Sequence, residues 1–264
     1  MRYFLHIGFD GTNYRGWQKQ KNTPDTVQEV IEKKVSQIFK KEMTIYGCGR
    51  TDAGVHASQY IMQINVDKAP DFDLKYRLNK NLPDNIAVFE IIEVDGNQNC
   101  RYNAVARTYD YFMHWRKDPV LLRYSSFYEG IVLDFDLMRE AATLILNTTD
   151  FRPVCKKPDF YDNTLCRVTE CEIYVNEAQG RLRFSITSNR FLRGMVRLCV
   201  FFLMKVGTGA MTLQEFEEIL RQERESEEMK PAFPNGLFLS KVQYPDLKFT
   251  DAHQLIKMLK VGLQ

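Results

Sequence analysis

The chain lacks any hydrophobic run fit to cross a bilayer. The longest uncharged apolar stretch of its second half, Leu198 to Met204, falls far short of the roughly 20 residues a membrane helix needs. The N-terminus, Met-Arg-Tyr-Phe-Leu-His-Ile, lacks a signal-peptide layout and leads straight into folded pattern, so a cytoplasmic protein with no membrane partner is expected. Cysteine is sparse and scattered, at 48, 100, 155, 166, 171 and 199, and no pair has the tight spacing of a structural zinc site. Cys166 and Cys171 flank an expected strand, where an odd separation sends them to opposite faces; buried free thiols are the expectation. The four histidines form no two-histidine motif, and neither metal nor cofactor is expected. Acidic residues are missing from 181 to 205, a stretch that holds Arg181, Arg183, Arg190, Arg193, Arg197 and Lys205. They gather instead at 215–228, so a chain of net charge only +2 can carry a strongly basic face.

What is present is ordinary for a soluble globular protein: 264 residues, 44% hydrophobic and 27% charged, enough for one large domain or two small ones. The first half reads strand, helix, strand, strand, helix, strand. Residues 3–9 alternate as a strand. Asp25 or Thr26 caps a helix with Val27, Val30, Ile31, Val35 and Ile38 at helical spacing. Strands follow at 43–48 and 59–66, a short helix at 74–82 and a strand at 86–94. The second half repeats the order: a strand at 107–115, a helix from Asp134 or Asp136 to Leu146, strands at 166–175 and 181–187, and an apolar helix at 191–206. A further helix starts at Thr212, a last strand covers 237–242, and a short helix covers 252–259. Two successive β-α-β-β-α-β patterns predict an α+β fold of two ferredoxin-like halves, 1–104 and 105–264. Such halves can join edge to edge into one mixed, mainly antiparallel sheet with a central cleft. Residues 148–165, with two prolines and little periodicity, read as a loop, either a ligand-contacting or lid segment or a plain surface connection.

The strongest chemical signal is the run 47–56, Gly-Cys-Gly-Arg-Thr-Asp-Ala-Gly-Val-His. It sets the carboxylate of Asp52 two residues after Arg50, with glycines at 47, 49 and 54 that let a ligand approach closely. Taken alone, Thr51 and Asp52 could cap a turn, with Arg50 as a surface partner. The full run resembles the signature of the TruA-type tRNA pseudouridine synthases. Other segments carry the same resemblance in the same order: Phe9 to Gln20 with its Asp-Gly and Gly-Trp-Gln, Thr26-Val27-Gln28, Asn81-Leu82-Pro83, Ala106-Arg107-Thr108-Tyr109-Asp110-Tyr111, Phe191-Leu192-Arg193-Gly194-Met195-Val196-Arg197, Gly207-Thr208-Gly209 and Pro234-Asn235-Gly236-Leu237.

The resemblance implies the pseudouridine synthase fold and an isomerase that turns uridine into pseudouridine in the anticodon arm of tRNA, near positions 38 to 40. It implies Asp52 as nucleophile, Arg197 as the cation paired with it, and Arg50 holding the RNA with its target base turned out. Tyr109 would stack on the flipped uracil. The segment from Asp10 to Gln20, including Gln18, and the arginines of the second half, including Arg107 and Arg193, would contact the RNA. A homodimer is implied, and no cofactor. The chain departs from the family pattern at Gln98-Asn99-Cys100-Arg101-Tyr102, which lacks the usual histidine, at Gly194, and in the Leu-Cys-Val that follows Arg197. Two other readings fit parts of the pattern: an RNA-binding or RNA-folding protein on the same scaffold, or a synthase acting on another RNA. A phosphate-ester hydrolase using Asp52 would call for a metal or further carboxylates, for which no ligands are found.

Overall fold

Burial along the chain explains where regular structure forms. From Phe4 to Phe9 every side chain is buried, which marks a strand covered on both faces. The computed structural model describes residues 1–250 and 254–263. In chain order its first elements are β1 (Arg2–Phe9), α1 (Val27–Phe39), β2 (Ile45–Gly47), β3 (His56–Asn65), α2 (Leu74–Asn81) and β4 (Ile86–Val94). They are followed by β5 (Ala106–His114), β6 (Ser126–Phe127), α3 (Phe135–Asn147), β7 (Val168–Asn176), β8 (Arg181–Ser188), α4 (Met195–Gly207), α5 (Leu213–Leu220), β9 (Leu237–Gln243) and α6 (Gln254–Lys260). The fold is α+β. The start expected for the last helix, Ala252, lies outside the described residues, as does His253. No helix among the described residues is long and apolar enough to cross a membrane.

The chain divides into two compact units. The first comprises Met1–Val105 with Phe238–Met258. Here β1 lies between β3 and β4, antiparallel to both, and β2 pairs antiparallel with the outer half of β3. At the other end of β3, His56 and Ala57 pair in parallel with Phe238 and Leu239 of β9. Helix α1 begins at Thr26, whose hydroxyl accepts the Glu29 N–H, and it buries Val27, Ile31 and Val35.

The second unit comprises Ala106–Leu237 with Leu259–Gln264. Its core sheet is β5–β8–β7, antiparallel throughout, with β6 parallel to the end of β5. Asp134 caps α3 by accepting the N–H groups of Asp136 and Leu137, both at 3.0 Å. Thr212 and Glu215 cap α5 reciprocally, in a capping box.

Two expectations are corrected. The apolar helix starts at Met195 and not at Phe191, because Gly194 sits at φ 72° and the Arg193 N–H is taken by the Tyr161 hydroxyl at 2.9 Å. Cys166 and Cys171 do not point apart. A β-bulge between Val168 and Glu170 resets the alternation, and both thiols are buried close enough to interact with Cys199 of α4. All six cysteines are free and buried, and burial pushes the Cys199 thiol up to about 12 and Cys166 up to about 11.

Candidate active site

The loop between β2 and β3 carries Arg50 and Asp52, and the first unit fixes it on two aromatic rings. Trp17 stacks on Tyr60 with centroids 4.0 Å apart. A Cβ at Gly47 would stand 2.6 Å from Trp17 Nε1 and run into the Tyr60 hydroxyl, so only glycine lets the backbone pass there. That hydroxyl donates to the Gly49 carbonyl at 2.6 Å, and the buried Cys48 gives its N–H to the Ile61 carbonyl at 2.9 Å. Beyond Asp52 the chain turns: the Val55 N–H donates to the Asp52 carbonyl at 3.2 Å, with Gly54 at φ 76°.

The segment from Asp10 to Trp17 lies directly against this loop. The Trp17 N–H donates to the Thr51 carbonyl at 3.1 Å, and the Gly54 N–H to the Tyr14 carbonyl at 3.2 Å. Gly16, at φ 96°, comes so close that a Cβ there would sit 2.5 Å from the Thr51 carbonyl oxygen. The backbone is therefore held on both sides of Asp52, at Thr51 and at Gly54. Thr51 is buried, Asp52 half-buried and Arg50 exposed. The carboxylate is presented at the surface from a backbone that has little freedom.

Behind the turn, His56 is buried and stacks on Phe238 with centroids 4.6 Å apart. Its Nδ1 lies 3.1 Å from the Gly11 nitrogen and 3.1 Å from an Asp10 oxygen. Without a proton Nδ1 accepts from Gly11; with one it donates to Asp10. Burial works against the charge on Asp10. Hydrogen bonds from His56 and from the hydroxyl and N–H of Thr12 outweigh it and hold the carboxyl well below the usual carboxylate range.

In the second unit, alternation along β5 puts Tyr109 and Tyr111 on one face and Asp110 on the other. Tyr109 is half-buried, edge-on to Phe191 at 5.0 Å. Tyr111 is fully buried with its hydroxyl 2.9 Å from that of Tyr128; burial drives its pKa well up, and both phenols stay neutral. Arg197 is the third residue of α4, where the helix dipole disfavours a cation. Its Nε donates to the Ala232 carbonyl at 2.6 Å, and its charge is felt by both phenols. On the opposite face the buried Asp110 meets Arg183 at 3.4 Å and Lys260 at 2.9 Å.

A family model described as tRNA pseudouridine synthase matches residues 6–103 and 141–245, most of the chain. The chain belongs to the tRNA pseudouridine synthase family. A protein named tRNA pseudouridine synthase A from Porphyromonas gingivalis is 36% identical over 253 residues, covering 92% of this chain and 97% of its own. Proteins of the same name from Bacteroides thetaiotaomicron and Acetivibrio thermocellus are each 34% identical; the matches cover 95% and 91% of this chain, and 93% and 98% of theirs. Membership in this synthase family makes the chain an isomerase.

Within this synthase, the sequence-derived residues fall into two groups. Asp10, Gln18, Arg50 and Asp52 belong to the first unit and to the first matched stretch. Arg193 and Arg197 belong to the second unit and the second stretch, while Arg107 and Tyr109 fall between the two stretches. The structure joins Asp10 and the residues up to Trp17 to the Asp52 loop. Gln18 is exposed at the end of that segment. Arg107 donates to the Asn189 carbonyl at 3.1 Å, and Arg193 is exposed. Sequence reasoning missed Trp17 and Tyr60 as the floor of the loop, His56 as its rear support, and the Tyr111–Tyr128 pair beside Arg197. Trp17 and His56 stand inside quoted motifs, so their position was visible; their partners were not.

Proposed function

We propose that this synthase isomerises uridine to pseudouridine in the anticodon stem-loop of tRNA, at positions 38 to 40, with Asp52 as the nucleophile. The half-exposed Asp52 carboxylate, on a loop whose backbone is held by Trp17 and Tyr14, carries the reading. The reaction breaks the N1–C1′ bond of the nucleoside and forms a C5–C1′ bond. N1 gains a proton and C5 loses one, so neither electrons nor water are consumed. One ionised carboxylate can supply the covalent assistance, attacking the sugar or the base.

A uridine in a folded stem-loop must leave its stack before it can react. Arg50, exposed two residues before Asp52, holds the RNA in that opened state. Tyr109 offers a half-exposed ring on which the uracil stacks. Arg197 supplies the positive charge that a carboxylate-driven reaction of this kind calls for. Gln18, Arg107 and Arg193 bind the RNA around it, and Asp10 contributes through the turn it braces. The working form is a homodimer in the cytoplasm.

Mapping of pseudouridine on unmodified tRNA transcripts tests the reading. New pseudouridine at positions 38, 39 or 40, and nowhere outside the anticodon arm, is the expected result. Modification confined to another arm, or found only in a different RNA, contradicts it.

A further inference from the structure

The loop between α3 and β7 is an ordered platform with an uncovered ring at its tip. Its neck is tied by the Phe151 N–H to the Thr164 carbonyl and the Cys166 N–H to the Thr149 carbonyl, both at 3.0 Å. Asp150 gathers the Arg152 N–H at 3.0 Å and the Gln222 amide at 3.1 Å, and Arg152 in turn pairs with Asp159. Phe151 and Val154 are fully buried beneath. The tip is docked on the segment ahead of α4: Lys156 donates its N–H to the Arg193 carbonyl at 2.8 Å, and Tyr161 accepts the Arg193 N–H at 2.9 Å. Phe160 follows Pro158 in a single 3₁₀ turn entered through Lys157 at φ 57°.

This frame holds Phe160 79% exposed. The Lys157 ammonium lies 5.4 Å from its ring centre, and the Arg190 guanidinium 5.7 Å from that of Tyr161. Lys156 and Arg193 are exposed beside them; of the acidic residues of this loop Asp159 pairs with Arg152, Asp150 is engaged by hydrogen bonds at the neck, and Asp162 is exposed. An exposed apolar ring on a held backbone, among cations, matches a partner with flat π-faces and regularly spaced negative charge. Unpaired RNA nucleotides have both.

We infer that Phe160 and the cations around it form a stacking platform for an unpaired nucleotide of the substrate RNA, distinct from the uridine that reacts. The inference rests on the reading that this synthase acts on RNA. Stacking on one aromatic residue is worth about a tenfold change in affinity. Phe160→Ala is exposed enough to leave folding intact, and it raises both Kd and KM for a tRNA transcript about tenfold, with the loss falling on KM rather than kcat. Phe160→Trp restores wild-type binding and Phe160→Leu does not. Lys157→Gln lowers the slope of log affinity against log salt by about one.

Wild-type pseudouridine formation is assayed in parallel. An active wild type with unchanged Kd and KM in Phe160→Ala overturns the platform and leaves the function standing. Full rescue by Phe160→Leu also overturns it, since it shows that apolar contact without a π-face is enough for RNA binding there. A wild type inactive on every tRNA, with RNA affinity still lost in Phe160→Ala, removes the function and keeps the platform.

Discussion

Asp10 shows how a single side chain ties the segment packed on the Asp52 loop to pH. Its folded pKa is depressed, so the ionised form stabilises the native state. That contribution is complete above the ordinary aspartate value of about 4, and is lost as pH falls from there toward the depressed folded value. Asp10→Asn removes the dependence. Chemical denaturation from about pH 7 down to about pH 3 is expected to give a flatter acid limb for the variant than for wild type. Equal slopes would mean that the His56 and Thr12 hydrogen bonds do not favour the charge. At this scale the sequence was a partial guide. Arg50, Asp52 and Gly54 could be read off one continuous run, because they are neighbours in the chain. The approach of His56 Nδ1 to the Gly11 nitrogen spans 45 residues and left no mark beyond two familiar letters. Tyr111 read as one aromatic of a strand; its hydroxyl partner on Tyr128 depends on packing.

Among elements, the closest approach near the site is between the segment from Asp10 to Trp17 and the loop at 51–56. Gly16→Ala tests that contact. The new methyl would meet the Thr51 carbonyl oxygen at 2.5 Å, at a φ of 96° that an L side chain rarely adopts. Strain of this kind destabilises by at least about 2 kcal/mol. The displaced loop carries Asp52, so turnover should fall with stability; denaturant midpoints and initial rates on tRNA check both. A variant as stable and active as wild type would show that the two segments are free to separate. The start at Thr212 was legible, and those near 26 and 134 were narrowed to Asp25 or Thr26 and to Asp134 or Asp136, of which Thr26 and Asp134 are the caps, because caps are set by local hydrogen bonds. The start of α4 was not, since Leu192 and Phe191 continue the apolar pattern and only the φ of Gly194 and the Tyr161 contact end it. Strand β6 has two residues, too few for any periodicity. Strand β9 was legible at 237–242, but its parallel pairing with His56 and Ala57 was not, because a strand's own pattern leaves its neighbour open.

For the whole molecule, the α+β class and the order of strands and helices follow from two recurring patterns, and the family match extends over both. Family membership was legible because its motifs recur in one order along the chain. The account stands or falls on the carboxylate of Asp52. Isomerisation replaces the C5–H of uridine with a C5–C1′ bond, so tritium placed at C5 is released to water at each turnover. The decisive measurement is tritium release from such a tRNA by wild type, Asp52→Ala and Asp52→Asn, with tRNA binding measured alongside. The account predicts release by wild type and at least about a thousand-fold less by either variant, with binding retained. Release by Asp52→Ala at a rate comparable to wild type would contradict it.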